Sequence, residues 1–157
     1  MQKITPCLWF DDRIEEAVDF YTSVFKDGKI LNISRYGDAG PLPKGKVLTA
    51  HFQILGQTFM ALNGGPQFKF TEAVSFSVDC KDQAEVDYYW KALTADGGEE
   101  SMCGWLKDKY GLSWQIVPEA LPRLLSGADK EGANRAMQAM LQMRKIDVAG
   151  VEKAYAG

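Results

Sequence analysis

Hydrophobic and polar positions along the chain form two similar blocks, and each block predicts one helix among four strands. In the first block, apolar or alternating runs predict strands over residues 4–10, 29–36, 47–55 and 57–63. Between the first two strands, apolar residues recur at a helical spacing from Ile14 to Phe25. The block therefore has the order strand, helix, strand, strand, strand.

The second block repeats this order and is followed by a helical tail. Alternation predicts a strand over residues 73–79, helical spacing predicts a helix over 82–95, and three short strands follow within 99–117. After Pro118 the pattern is helical. Segment 18–21 (Val-Asp-Phe-Tyr) also resembles segment 86–89 (Val-Asp-Tyr-Tyr), as an internal repeat would. Chance similarity between short stretches is the alternative explanation.

Two aspartates recur at equivalent places in the blocks. Asp11 and Asp79 each follow the first strand of a block and precede its helix. Because an aspartate side chain accepts hydrogen bonds from the first free amides of a helix, we expect these two residues to cap the helices. They are therefore not expected to be catalytic.

Composition and charge exclude several classes of function. The chain has 157 residues, of which 46% are hydrophobic and 25% charged, as in an ordinary globular protein. With 18 basic and 21 acidic residues, the net charge of −3 gives no basic face for nucleic acid. No apolar stretch is long enough to span a membrane. Asp11 and Asp12 come too early for a secretory signal. We expect neither nucleic acid nor membrane as a partner.

Cysteine and histidine are sparse. The three cysteines, Cys7, Cys80 and Cys103, form no CxxC motif, which predicts reduced thiols and a cytoplasmic location. The single histidine is His51. One chain with one histidine has no multi-histidine metal site.

One face of the predicted sheets is apolar and suited to packing on the helices. The opposite face combines neutral polar groups with large apolar ones, namely Thr5, Cys7, Trp9, Thr49, His51, Gln53, Thr58, Met60, Leu62, Ser75, Ser77, Ser113 and Gln115. Such a mixture is typical of a small-molecule pocket. Because this set carries no fixed charge, it favours a small neutral organic ligand.

His51 is the candidate catalytic residue, because its reference pKa of about 6.5 suits acid–base chemistry near neutral pH. The alternative is a half-buried strand histidine bonded to Thr49 or Gln53. The candidate ligand-binding residues are Cys7, Trp9, Thr49, Gln53, Met60, Ser75, Trp105 and Gln115.

Three stretches carry a resemblance to a known family. They are ITPCLWFDDRIEEAVDFYTSVF, FMALNGGP and CGWLKDKYGLSWQIVP. Together they resemble the PhnB-like family, also called demethylubiquinone methyltransferase-like, of the vicinal oxygen chelate superfamily, which includes glyoxalase I and extradiol dioxygenases. The resemblance implies an α+β fold of the glyoxalase/bleomycin resistance/dioxygenase type. Two βαβββ modules, about 1–66 and 70–118, would form a cupped mixed sheet in a domain over 1–118. A helical extension over 119–157 and a homodimer are also implied.

Metal-binding relatives in this superfamily place a glutamate on the last strand of each module and a histidine on the first. Met60 and Gln115 occupy the two last-strand positions, and Thr5, Cys7, Ala73 and Ser75 lie nearest to the first-strand positions. Because zinc, iron and nickel favour imidazole, carboxylate or thiolate, we expect neither a metal ion nor another cofactor.

Several functions remain open at this point. The preferred hypothesis is a metal-independent protein that binds a small molecule, with or without a reaction. The alternatives are a metal-dependent lyase or dioxygenase, a methyltransferase acting on a quinone precursor, and a sequestering protein that performs no chemistry. The glycine pairs at 64–65 and 97–98 lack the spacing of a nucleotide-binding loop, which argues against the methyltransferase.

Overall fold

A computed structural model describes residues 2–157, and the chain divides into two compact units. The first unit ends at Lys69. Its elements are β1 (Cys7–Phe10), α1 (Ile14–Val24), β2 (Lys29–Arg35), β3 (Val47–Ile54) and β4 (Gln57–Asn63). The four strands form one sheet in the order β1-β4-β3-β2, in which only β1 and β4 are parallel.

The second unit runs from Phe70 to Gly157 and repeats this arrangement before adding three helices. Its elements are β5 (Ser75–Cys80), α2 (Gln83–Thr94), a 3-10 turn (Ala95–Gly97), β6 (Glu99–Glu100), β7 (Trp105–Lys107), β8 (Ser113–Pro118), α3 (Ala120–Leu125), α4 (Lys130–Leu141) and α5 (Val148–Ala156). The sheet order is β5-β8-β7-β6, and β5 and β8 are parallel. The predicted α+β class is confirmed, with two βαβββ modules, mixed sheets and C-terminal helices.

One face of each sheet packs against the helix of its own module. In the first unit, Phe52 lies opposite Phe59 in the register, and both side chains are buried. Tyr21 of α1 stacks on Phe52 with ring centroids 5.9 Å apart. In the second unit, Trp114 and Ile116 are buried on the equivalent face. The opposite face of each sheet is therefore left to carry the predicted site residues.

The C-terminal helices belong to the core of the second unit. Leu121, Ala136, Ile146 and Val151 form a buried cluster, against which Val117 of β8 packs. The Gln83 side chain fixes this arrangement, because it donates to the Ile146 carbonyl and accepts from the Val148 amide, at 3.0 Å and 2.8 Å. Among residues 2–157, no helix is long and apolar enough to cross a membrane.

The prediction that Asp11 and Asp79 cap the helices is wrong. Asp82 caps α2 by accepting from the Glu85 amide at 3.0 Å, and Asp79 is still within β5. The N-cap residue of α1 makes no side-chain capping bond. Instead, the Ile14 amide donates to the buried side chain of Asn63 on β4. A distant residue thus supplies what a local aspartate was expected to supply.

Candidate functional site

The face of the first sheet that points away from α1 brings several predicted site residues into neighbouring positions. The register places His51 between Asn32 and Met60, and Met60 next to Cys7. The adjacent row contains Ser34, Thr49, Leu62 and Trp9, in that order across the sheet. Since directly opposed residues on neighbouring strands share a face, these side chains project to the same side.

His51 is half-buried, and its ring is oriented by a partner on the neighbouring strand. Its Nδ1 atom lies 3.0 Å from Oδ1 of Asn32. Because the Oδ1 atom of Asn32 can only accept, Nδ1 is the donor in this contact, and Nε2 is the ring nitrogen that it leaves unused. The imidazole thus has one fixed hydrogen bond and one nitrogen able to accept a proton or a hydrogen bond from a ligand.

Asn32 was not among the predicted site residues, and neither Thr49 nor Gln53 is the partner of His51. The Thr49 hydroxyl is 2.6 Å from that of Ser34, and the Gln53 amide donates to the Gly56 carbonyl at 3.3 Å. Strand β2 pairs with β3 through an irregularity between Ile30 and Asn32, which shifts the register by one residue. Regular alternation in the sequence gives no sign of this shift.

Trp9 is held in place by the loop that follows β4. Its indole nitrogen donates to the Gly65 carbonyl at 2.8 Å, and Phe68 contacts the ring edge-on with centroids 4.9 Å apart. A Cβ atom at Gly64 would collide with the indole ring. The glycine pair, which the sequence marks only as a loop, therefore allows close approach of an aromatic wall, and exposed Phe68 extends that wall.

Cys7 is suited to binding rather than to nucleophilic attack. The residue is exposed as a whole, yet partial burial of its thiol raises the pKa above the ordinary value. Because a thiolate is the reactive form, a raised pKa leaves a protonated, weakly polar group at neutral pH. All three cysteines are free.

The corresponding face of the second sheet contains Trp105, Ser75 and Gln115. Trp105 lies opposite Gln115, and Gln115 lies opposite Ser77. The Gln115 amide donates to the Ser75 hydroxyl at 2.9 Å. The structure therefore brings these three predicted residues together within the second unit.

A second row on this face is charged, which the sequence interpretation missed. Glu99, Lys107, Ser113 and Ser75 follow one another across the four strands. Lys107 also forms an ion pair with Glu72, which lowers the pKa of the Glu72 carboxyl and raises that of the Lys107 ammonium. The expectation of a face without fixed charge is wrong for this sheet, and it is also wrong for the first sheet, where Lys29 lies opposite Gln53.

The donor set does not suit a transition metal. Met60 and Gln115, at the two last-strand positions, offer a thioether and an amide. Within residues 2–157, no group of three or more His, Cys, Asp or Glu side chains could hold a metal ion. These residues fit hydrogen bonding and apolar contact better than metal coordination.

A cavity of about 270 Å³ lies in the first unit beside the start of α1. Asp12, Lys46 and Asn63 are among its lining residues. Asp12 pairs with Lys46, and Asn63 donates to the Val47 carbonyl at 2.8 Å. The polar side chains here stabilise the loop and the helix start, and none of the predicted site residues lines this cavity.

Comparisons with known proteins agree with the topology. Residues 2–117 match the family described as 3-demethylubiquinone-9 3-methyltransferase. A PhnB protein from Bacillus cereus is 40% identical, with a TM-score of 0.68, and the match covers 74% of this chain and 99% of that protein. No curated protein matches the chain.

Two more distant solved structures share the fold. A protein from Pseudomonas aeruginosa is 22% identical with a TM-score of 0.63, covering 76% of this chain and 98% of that protein. The fosfomycin resistance protein FosX from Listeria monocytogenes is 15% identical with a TM-score of 0.53, covering 75% and 93%. At these identities the likeness concerns the fold alone.

Proposed function

Because the chain belongs to the PhnB-like family described as 3-demethylubiquinone-9 3-methyltransferase, within the vicinal oxygen chelate superfamily, we propose that it binds a small organic molecule without a metal ion. The observation that carries this proposal is the oriented imidazole of His51 on a half-buried sheet face. Sites of this kind join apolar walls to a few placed polar groups.

Each candidate residue has a role in this proposal. Trp9 and Met60 supply apolar contact, Thr49 and Gln53 supply hydroxyl and amide groups, and Cys7 supplies a neutral thiol. His51 accepts a hydrogen bond from a ligand hydroxyl through Nε2, and the same atom would take the proton if a reaction follows. In the second unit, Trp105, Ser75 and Gln115 are proposed to bind on the face of their own sheet.

Metal-dependent chemistry is the first alternative. It would need carboxylate or imidazole ligands where this chain has Met60 and Gln115, so it is disfavoured by the chemistry of the side chains. Activity or binding that disappears with EDTA and returns with a divalent metal ion would support this alternative.

Methyl transfer to a quinone precursor, as the family description suggests, is the second alternative. Each sheet has only one parallel strand pair, and neither glycine pair has the spacing of a dinucleotide or phosphate loop. Calorimetric titration with S-adenosylmethionine tests it directly, and micromolar binding would favour it over the present proposal.

We also propose a cytoplasmic homodimer. The three free cysteines are consistent with a reducing compartment. Edge strand β2 exposes Ile30, Leu31 and Ile33 by 42%, 47% and 46%, and a second copy would cover this apolar surface. Sedimentation equilibrium of the wild-type chain and of an Ile33→Lys variant tests this part.

A direct test of binding uses ligand-observed NMR with a library of neutral cyclic alcohols, ketones and phenols. We expect hits whose affinity falls about tenfold in His51→Ala, as loss of a buried hydrogen bond predicts, with an unchanged melting temperature. Gln138→Ala, at an exposed position of α4, is the control. Hits that bind equally to His51→Ala would refute the role of His51, and absence of any hit would refute the proposal.

A further inference from the structure

A small cavity lies on the charged row of the second sheet. Its volume is about 140 Å³, and Glu72, Glu99, Trp105, Lys107 and Ser113 are among the lining residues. Pockets for drug-sized ligands measure roughly 300–1,000 Å³. Since one water occupies roughly 30 Å³ in the liquid, this cavity holds a group of about four or five non-hydrogen atoms.

Ser113 gives this cavity an unused hydrogen-bonding group. The residue is 1% exposed, and within residues 2–157 its hydroxyl has no hydrogen-bond partner. The neighbouring Ser75 hydroxyl already accepts from Gln115. Because buried hydroxyls in folded proteins almost always have a partner, the Ser113 hydroxyl needs one that the protein itself does not supply, and a ligand group in the cavity can provide it.

The charges around Ser113 favour a cation. Lys107 is paired with Glu72, so its ammonium is already neutralised. Glu99 lies opposite Lys107 in the register, and its charge adds to that of Glu72 in raising the pKa of the Lys107 ammonium. Among residues 2–157, no side-chain hydrogen bond or ion pair within 4.0 Å engages the Glu99 carboxylate. Glu100 lines the same cavity, but its carboxylate accepts from the Trp90 indole at 2.7 Å. Of the three carboxylates that line the cavity, that of Glu99 is the one without a direct hydrogen bond or ion pair among the described residues, so it is the most available to a cationic group.

Trp105 adds a second attraction for positive charge. It lies two residues before Lys107 on β7, so the two side chains project to the same face. The face of an indole ring attracts ammonium groups through its quadrupole. A ligand carboxylate in this cavity would be repelled by Glu99, and it could pair with Lys107 only by displacing Glu72.

We propose that this cavity binds the end of a small amino alcohol, with the ammonium between Glu99 and Trp105 and the hydroxyl bonded to Ser113. The inference rests on the proposed function, because Trp105 belongs to both, and it names the ligand class of the second unit. It involves binding only and no bond is made or broken.

Three probes of nearly equal size test the charge preference: ethanolamine, ethylene glycol and glycolate. Each is titrated into the full chain at pH 7 while two-dimensional amide NMR follows the Trp105 indole signal. We expect ethanolamine to bind at least about tenfold more tightly than the other two, as one charge-assisted hydrogen bond predicts. Equal binding of ethylene glycol, or tighter binding of glycolate, would overturn the inference.

Two variants locate the site. Glu99→Gln should weaken ethanolamine binding about tenfold, and Ser113→Ala about threefold, because the latter loses a neutral hydrogen bond. Glu131→Gln, an exposed glutamate on α4, is the control and should bind as the wild type does. Unchanged affinity in Glu99→Gln would also overturn the inference. If ethanolamine does not bind while neutral fragments still bind in a His51-dependent way, the inference is refuted and the proposed function stands.

Discussion

The two sheets have the same strand order and register but carry different chemistry at equivalent positions. In the first sheet, Lys29, Gln53 and Thr58 lie opposite one another. In the second, Glu99, Lys107 and Ser113 take these places. The strand pairing thus gives both sheets the same side-chain positions, and the residue types at those positions give the two sheets different charges.

The next row differs as well. The first sheet has His51 with its partner Asn32, whereas the second has Trp105 opposite Gln115. The single imidazole of the chain therefore lies in the first sheet, and an indole takes its place in the second. The contrast teaches that one repeated backbone can carry charges of both signs in one sheet and a single lysine in the matching row of the other.

The largest expected change in the free energy of unfolding comes from the residue that binds the first amide of helix α1. Asn63 is buried and bonds to both the Ile14 amide and the Val47 carbonyl. We expect Asn63→Ala to lower the free energy of unfolding by about 3 kcal/mol, because two buried backbone groups lose their partners. The equivalent change in the second unit, Asp82→Ala, should remove only about 1 kcal/mol, as loss of an N-cap does.

Urea denaturation of both variants measures this difference. If the Asp82→Ala variant is the less stable of the two, the two units do not differ in the way described.

A second prediction compares the thiols of the two units. Burial, reinforced by Glu85 and Asp79, raises the pKa of Cys80 from 9.0 to about 12, whereas at Cys7 partial burial alone raises the pKa of the thiol. The folded state then keeps its proton where the unfolded state loses it, so stability is full below pH 9 and falls as pH rises toward 12. For this shift we expect a loss of about 2 kcal/mol by pH 10.5.

Thermal unfolding across pH 8 to 10.5 checks this, with Cys80→Ala as the comparison. The fall with pH should be shallower in Cys80→Ala and nearly unchanged in Cys7→Ala. Equal slopes in all three proteins would assign the alkaline loss to other groups.

The smallest expected effect on stability concerns the aromatic wall of the first sheet. In Gly64→Ala, the added methyl group collides with Trp9 and displaces it, at a cost of about 1 kcal/mol typical of overpacking. Fragment binding at His51 should weaken, while ethanolamine binding at Trp105 should not change. Gly37→Ala, where a Cβ meets nothing within 4 Å, is the control. Unchanged fragment binding in Gly64→Ala would remove Trp9 from the site.

Much of the fold could be predicted because the periodicities are strong. The helix spacing from Ile14 and the alternation in Gln57–Asn63 gave elements close to those observed, and both the family resemblance and the α+β class are confirmed. The predicted ends of the strands differ from those observed. Thr5 and Val74 lie outside β1 and β5, and Val74 is 63% exposed.

The site was harder to predict than the fold, since its key contacts depend on pairing between distant segments. Asn32 reaches His51 only through an irregular register, and Glu99 joins the second face through a strand of two residues. The register shift in β2 and the two-residue length of β6 keep alternation in the sequence from assigning these side chains to a face. The hydrogen bond from the Ile14 amide to Asn63 likewise joins residues far apart in the sequence, and no motif near Ile14 predicts it.

Metal-independent binding at the first sheet is tested most directly by one NMR titration. Neutral fragments are added to EDTA-treated protein, and amide shifts are mapped onto the chain. We predict that the shifts cluster at Asn32, Thr49 and His51, and that a divalent metal ion changes neither their size nor the affinity. Binding that appears only after a metal ion is added, or shifts that avoid these residues, would contradict metal-independent binding at this face.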